Sequence, residues 1–264
     1  MKLHYSQSMK FHGQRAIDFL NFDPYDAVSH NKEPTMFWLY SNDDYKHLFL
    51  HKGKSYIYWH GIDVLYLKQN KKNLLPIIRK ADPVCACHNE LQQNCLADMG
   101  IYAYVRPIFW NDINKYADSG QNLKKKVYIT SHPRREEEYG EPMINAVAGA
   151  LRDWTFHIFG TNKSLPVQRN VFYHGNVPEV EMDEITKDYA ATIRWKQING
   201  IHWDGVSQTV MKALLRGQMA ITGIKYYFTH HATGIHDIIS YLTIFDKLRN
   251  TLPKIKLNDF DWIE

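Results

Sequence analysis

The residues best suited to chemistry stand in the last third of the sequence. Arg194 ends an apolar stretch, and Asp204 directly precedes a short segment with a helical pattern. A guanidinium group can neutralise a diphosphate, a carboxylate can accept hydrogen bonds from sugar hydroxyls, and the free amides at a helix start bind anions. An ordinary capped surface helix has the same spacing, so the pattern alone leaves both readings open. The backbone candidates for anion binding are Gly205, Val206 and Ser207.

Two further groups of candidates follow predicted strands. Ser131, Arg134 and Arg135 follow the apolar segment that ends at residue 130, and the two arginines could bind phosphate oxygens. His60 and Asp63 lie in a glycine-containing loop after another apolar segment and could serve as a general base. Surface arginines and a packed, hydrogen-bonded histidine are the alternative interpretations of these positions.

The elements that must position these residues alternate between strands and helices. In the first half, apolar segments such as Ser55–Trp59 are separated by polar or helical segments, including a helix predicted from Asn89 to Met99 that Gly100 closes. The rhythm restarts near residue 126. This alternation predicts an α/β fold with two Rossmann-like domains, 1–120 and 121–264, that face each other across a cleft. Such parallel sheets bind ligands beyond the carboxyl ends of their strands.

Composition narrows the class of protein. The 264 residues include 32 Lys and Arg against 28 Asp and Glu, a net charge of +4, which is far from the imbalance of an obligate nucleic-acid-binding module. No apolar run approaches the roughly 20 residues of a membrane helix, and no signal peptide is recognisable. We therefore expect a soluble, cytoplasmic protein without membrane insertion.

The three cysteines lie close together in the sequence. Cys85, Cys87 and Cys95 stand within eleven residues of one another, with His88 between them. Their spacing is not that of the usual zinc sites, and an odd number argues against a disulfide framework. We expect buried apolar thiols and no metal site.

The segment from Arg194 to residue 222 resembles the retaining glycosyltransferases of the B fold, the group that includes glycogen synthase and sucrose-phosphate synthase. In that family an acidic residue and a glycine loop precede a helix, and a glutamate that holds the nucleotide ribose stands eight residues after the acid. Asp204 and Gly205 match the loop, whereas Lys212 occupies the glutamate position. The resemblance implies two Rossmann-like domains and a nucleotide-sugar donor, with Asp204 contacting the sugar.

Shorter matches extend this resemblance over most of the chain. Trp59–Val64 resembles a strand-end motif of the amino-terminal, acceptor-side domain, and Thr130–Arg135 resembles the first loop of the carboxyl-terminal, donor-binding domain. Gly160 and Val177 follow strands whose ends border the base in the family. The resemblance thus implies that Ser131, Arg134, Arg135, Arg194 and Lys212 line the donor site.

The resemblance implies transfer of a sugar from a nucleotide-diphosphate donor, with UDP as the expected nucleotide and with retention of configuration at the anomeric carbon. No metal or other cofactor is expected, since arginines and helix amides can neutralise the charge on the leaving group. The small, Lys-, Asn- and aromatic-rich chain looks like phage enzymes that glycosylate hydroxymethylated DNA. We therefore expect double-stranded DNA containing hydroxymethylcytosine as the acceptor. A saccharide or small-molecule acceptor, and a non-catalytic sugar-nucleotide-binding protein, are the alternatives.

Overall fold

The computed structural model describes residues 1–116, 122–134, 136–137, 139–162, 168–195, 206–248 and 251–263. The chain forms two compact units. The first contains Met1–Asp112, Val206 and the carboxyl-terminal segment that begins at Lys256, and the second contains most of the chain from Ile113 to Ile255. The boundary that the sequence suggests, after residue 120, lies in 117–121, outside the described residues.

The first unit is a parallel sheet with helices on its faces. Its strands are β1 (Lys2–His4), β2 (Asp23–Pro24), β3 (Thr35–Phe37), β4 (Ser55–Trp59), β5 (Val84–Cys87) and β6 (Ala103–Val105). Its helices are α1 (Lys10–Leu20), α2 (Asn42–Leu50), α3 (Ile62–Gln69), α4 (Lys71–Ala81) and α5 (Glu90–Ala97). The strands stand in the order β2-β1-β3-β4-β5-β6, and neighbours pair in parallel.

Both faces of this sheet are buried. Ile57 and Trp59 pack against α2 to α5, whereas Tyr56 and Tyr58 pack on the opposite face with Trp262. A strand covered on both sides has no reason to alternate apolar and polar residues, which explains the continuous apolar run of β4. The predicted helix Asn89–Met99 corresponds to α5, and Gly100 adopts the expected left-handed conformation (φ 76°).

The second unit repeats the architecture. Its strands are β7 (Lys124–Thr130), β8 (Thr155–Phe159), β9 (Val171–Gly175), β10 (Tyr189–Arg194), β11 (Met219–Thr222) and β12 (His230–His231). Its helices are α6 (Glu141–Ala150), α7 (Glu179–Thr186), α8 (Gln208–Leu215), α9 (Ile235–Thr243) and α10 (Phe245–Leu248). The parallel order is β12-β11-β10-β7-β8-β9. The predicted α/β class with two Rossmann-like sheets is confirmed.

The carboxyl-terminal segment packs on the first unit. The Arg106 guanidinium donates to both carboxylate oxygens of Asp261, at 2.8 and 2.9 Å, and the Asn258 side chain bonds the Phe109 backbone in both directions. Trp262 is buried against Tyr56 and Tyr58. The predicted second domain, 121–264, therefore extends too far, because residues from Lys256 onward find their apolar partners in the first unit. No helix in the described part of the chain is both long and apolar enough to cross a membrane.

Candidate donor site

The strand order of the second sheet reverses between β7 and β10. The chain proceeds from β7 outward through β8 and β9 and then returns to β10 on the other side of β7. In parallel sheets of this kind, ligands usually bind at the carboxyl edge where the strand order reverses. Ser131 directly follows β7, and Arg194 is the last residue of β10. The fold therefore brings these two predicted site residues to the same edge.

Gly160 lets two strand ends approach closely. Its φ is 96°, and a Cβ at this position would lie 2.2 Å from the carbonyl oxygen of Ser131. The Gly160 amide donates to the carbonyl of Gly175 at 2.6 Å, and the Ser131 amide donates to the carbonyl of Phe159 at 2.8 Å. Any residue other than glycine would separate these loops.

The sequence interpretation missed Glu141, which fixes the loop after β7. This first residue of α6 is 1% exposed, and its Oε1 accepts hydrogen bonds from the hydroxyls of Ser131 and, at 2.9 Å, Thr161. The Ser131 hydroxyl proton is therefore directed at a carboxylate, and a phosphate oxygen would find no donor in this side chain. This geometry argues against Ser131 as a diphosphate ligand and makes it a positioning residue. The Gly-Glu-Pro start of α6 was the available sequence signal.

Arg194 is held in place by an aromatic ring. Its guanidinium carbon lies 4.4 Å from the ring centroid of Tyr139, and its side chain is partly exposed. The neighbouring Gly140 has φ 81°, and a Cβ there would lie 2.8 Å from the Cβ of Trp195. The loop after β7 thus folds back onto the end of β10. A guanidinium group can stack on a ring through its face and bind an anion through its edge.

Of the six remaining residues predicted to bind the anion or the sugar, the structure describes three. Arg134 is exposed with a left-handed backbone (φ 69°), whereas Arg135, Asp204 and Gly205 lie outside the described residues. Ser207 is the N-cap residue of α8, and its hydroxyl makes no cap hydrogen bond. Val206 is buried, at 3% exposure.

The comparisons with known proteins find similarity only at the level of structure: no protein-family profile matches, and no curated protein is similar in sequence. A point mutant of S. aureus TarM, solved with fondaparinux, alpha-GlcNAc-glycerol and UDP, aligns over 83% of the chain at 14% identity and a TM-score of 0.58. The alignment covers 52% of TarM, so the chain spans about half of its length.

Two other solved structures match more of their own length. A protein from Listeria monocytogenes described as a UDP-N-acetylglucosamine 2-epimerase aligns over 94% of the chain and 82% of its own, at 9% identity and a TM-score of 0.55. An alpha-glucosyltransferase in complex with UDP and a 13-mer DNA containing a HMU base aligns over 89% and 78%, at 11% identity and a TM-score of 0.51. The chain has the glycosyltransferase B fold. Transferases and an epimerase share it, so the fold by itself does not give the reaction.

Lys212 stands at the position where the resemblance implies a ligand of the nucleotide ribose, and its contacts do not fit that role. The ammonium group is buried, at 3% exposure, and donates to Glu179 Oε1 at 2.6 Å and to both carboxylate oxygens of Asp183 at 2.8 and 2.9 Å. Tyr116 and Arg216 complete this cluster around Asp183, with the Tyr116 hydroxyl 2.7 Å and the guanidinium 3.5 Å from the carboxylate. These contacts argue against Lys212 as a ribose ligand, because two carboxylates of α7 neutralise its charge.

The strand end assigned to the base carries an unpredicted histidine pair. Val177, which follows β9, is partly buried against Phe159 and its neighbours. His174 stacks on Phe159 at 4.5 Å, and its Nε2 lies 2.9 Å from Nδ1 of His157. Burial lowers the pKa of His174 and lowers that of His157 to about 4, so both rings are neutral near pH 7.

In the first unit, Asp63 shapes the loop after β4. Its carboxylate is completely buried and accepts hydrogen bonds from the amides of His60, Gly61 and Val64 at 2.7 to 3.1 Å. Burial raises its pKa to about 6, although these amide bonds act in the opposite direction. This burial argues against Asp63 as a general base, and its hydrogen bonds show that it holds the backbone of the loop.

His60 lies among aromatic rings. Its centroid is 4.5 Å from that of Trp38, 5.0 Å from Tyr58 and 5.2 Å from Trp110. Burial, together with His88, lowers its pKa well below the usual value, so the ring is neutral near pH 7. A neutral imidazole can accept a proton, and this part of the general-base prediction stays a prediction.

The cysteines belong to the core of the first unit. Cys85, Cys87 and Cys95 are buried free thiols, and burial raises the pKa values of Cys85 and Cys87 to about 12. Within the residues that the structure describes, no three or more His, Cys, Asp or Glu side chains are grouped so that they could hold a metal ion.

Proposed function

We propose that the chain is a glycosyltransferase that moves a sugar from a UDP-sugar to an acceptor hydroxyl. The observation that carries the proposal is Arg194, stacked on Tyr139 at the carboxyl end of β10, where the strand order reverses. A cation at this edge of the sheet suits a nucleotide diphosphate. Support for UDP comes from the TarM and alpha-glucosyltransferase structures, which both contain it.

The proposed reaction proceeds with retention. The bond between the anomeric carbon and the phosphate oxygen breaks, its electron pair leaves with UDP, and the acceptor oxygen bonds to the same face of the sugar. The departing phosphate takes the acceptor proton. Arg194 and Arg134 would neutralise the charge that develops on the diphosphate, aided by Arg135 and the amides of Gly205 to Ser207, so that no metal is required. Asp204 would accept hydrogen bonds from the sugar.

The proposed acceptor is a hydroxymethylated base, hydroxymethylcytosine, in double-stranded DNA. Support comes from the alpha-glucosyltransferase complex, which contains DNA with a HMU base. The target base would have to leave the helix, and binding through phosphates would weaken steeply with salt. The saccharide alternative draws support from the TarM complex with alpha-GlcNAc-glycerol. A non-catalytic binding protein would bind UDP-sugar without releasing UDP.

The test is incubation with a panel of UDP-sugars and three duplexes, which contain hydroxymethylcytosine, hydroxymethyluracil or unmodified bases. Digestion to nucleosides and mass spectrometry would detect a gain of one sugar on the modified base. UDP release measured in parallel with saccharide acceptors separates the alternatives. Transfer only to saccharides would overturn the DNA acceptor and leave the donor proposal standing. Absence of UDP release with every acceptor would overturn the enzyme assignment.

Two arginine variants test the donor site. Arg194→Ala should lower kcat about 100-fold or more, because removing one preorganised donor to a developing oxyanion has this effect in other enzymes. Arg169→Ala is the matched control, since Arg169 is exposed and precedes β9 at the opposite edge of the sheet. A decrease of twofold or less for both Arg194→Ala and Asp204→Ala would refute the assignment of the site.

A further inference from the structure

The first unit has a continuous pair of clefts away from the loop that carries His60. One cleft, of about 510 Å³, runs along α4, and the other, of about 460 Å³, lies beside the amino-terminal ends of β5 and β6. Arg79 and Gly100 line both clefts, so the two are contiguous. His60 follows the carboxyl end of β4. Because the sheet is parallel, the clefts and the His60 loop belong to opposite edges.

Three cations follow the outer side of α4 along these clefts. Lys71, Lys72 and Arg79 are exposed, whereas Leu74 and Ile78 of the same helix are buried. None of the three cations forms an ion pair or side-chain hydrogen bond with the described part of the chain. From residue 71 to 79 the helix rises about 12 Å. This length corresponds to three to four nucleotides of one DNA strand, at about 3.4 Å of helix axis each.

Two tyrosines continue this surface, one directly before the edge strand β6 and one within it. Tyr102 is 72% exposed and Tyr104 is 37% exposed, and both line the second cleft with Arg79. Their rings meet edge to face at 5.3 Å. Adjacent large aromatic side chains that remain exposed mark interaction sites more often than ordinary surface, and a nucleobase can stack on such a ring.

We propose that the surface formed by Lys71, Lys72, Arg79, Tyr102 and Tyr104 binds a nucleic-acid strand, with the cations on its phosphates and the tyrosines on its bases. The surface itself follows from the geometry, whereas the choice of nucleic acid over another polyanion rests on the DNA acceptor of the proposed function. A second contact on the same polymer raises the effective concentration of acceptor hydroxyls near the catalytic site. Long DNA should therefore have a lower KM than a short oligonucleotide.

Two carboxylates modulate this surface and provide an internal control. Asp98 lines the first cleft and Asp82 lines the second, and both side chains are exposed. Each repels a phosphate at short range. Asp98→Asn should therefore raise the affinity for DNA, in the direction opposite to the loss of a cation.

The test measures binding of labelled single-stranded and duplex oligonucleotides to the full chain by fluorescence polarisation, without donor, over a salt series. The triple variant Lys71→Ala, Lys72→Ala, Arg79→Ala should bind at least 10-fold more weakly near 0.1 M salt. The slope of log K against log salt should fall by about 2 to 3, given 0.7 to 0.9 per phosphate contact. Tyr102→Ala with Tyr104→Ala should weaken single-stranded binding at least 10-fold at an unchanged slope.

The matched control removes three exposed lysines elsewhere on the first unit, Lys10, Lys32 and Lys52, and so makes the same change in net charge. Equal losses for the control and the triple variant, or an unchanged slope, would overturn the proposal. Preferential binding of a sulfated polysaccharide over DNA would overturn the identity of the ligand. Thermal stabilisation by UDP-sugar should be unchanged in all these variants. Failure of sugar transfer to DNA would leave this binding experiment valid, so the two proposals can fail separately.

Discussion

Replacing Lys212 by glutamate would introduce the residue that the resemblance to retaining glycosyltransferases implies at this position. If the position simply faced the nucleotide, Lys212→Glu should be tolerated. The structure predicts the opposite, because the glutamate would join Glu179 and Asp183 in a buried cluster of three carboxylates. Lys212→Met separates the two effects, since it removes the cation without adding an anion.

The magnitude follows from burial and pairing. The Lys212 side chain is 3% exposed, and its Nζ lies within 2.9 Å of three carboxylate oxygens. Removing one partner of a buried pair costs about 3 to 5 kcal/mol, because the remaining charge is left without compensation. At about 2 to 4 °C per kcal/mol, Lys212→Met should lower the unfolding temperature by about 10 °C. Lys212→Glu should lower it at least as much. Partial pairing of Asp183 with Arg216, at 3.5 Å, limits the loss.

The assay is thermal unfolding at pH 7.5 followed by circular dichroism. Lys225→Glu, at an exposed position of the same unit, makes an equal charge change and should shift the free energy of unfolding by no more than about 0.5 kcal/mol. Lys212→Met combined with Asp183→Asn should recover part of the loss, since both charges are then absent. An unfolding temperature of Lys212→Glu within about 2 °C of the wild type would refute the reasoning and return Lys212 to the donor site.

Three other predictions test the loops. Gly160→Ala should destabilise the protein more than Gly100→Ala, by at least about 1 kcal/mol. Both glycines have positive φ, but a Cβ at Gly160 would lie 2.2 Å from the Ser131 carbonyl oxygen, whereas one at Gly100 would face open space. Equal unfolding temperatures of the two variants would contradict this. Ser131→Ala should lower stability by about 1 to 3 kcal/mol, because buried Glu141 loses a donor, and leave UDP affinity nearly unchanged in calorimetric titration. Burial lowers the pKa of His88 to about 3, so below its ordinary pKa of about 6.5 the unfolded chain binds a proton at this residue that the folded chain does not. His88 alone should therefore lower the free energy of unfolding by about 2 kcal/mol from pH 7 to 5, and urea titrations of His88→Asn should show a pH dependence that is smaller by this amount.

The sequence determined the class of the fold and indicated the edge of the sheet that we propose for the site. The continuous apolar run of Ser55–Trp59 and the restart of the alternation near residue 126 require parallel sheets covered on both faces, and such sheets bind ligands at their carboxyl edges. Arg194 could be assigned to that edge because a strand end is a local property. Local signals also sufficed for Gly100, since a left-handed turn depends on the residue itself.

Only the tertiary structure decided what several side chains do. Lys212 is neutralised by carboxylates 29 and 33 residues earlier in the chain. Burial that no periodicity reveals shifts the pKa values of Asp63 and His60. Arg106 pairs with Asp261 across 155 residues, which assigns the carboxyl terminus to the first unit. Sequence spacing constrains the local backbone, whereas the charge and partners of a side chain depend on neighbours that are close in space and distant in the chain.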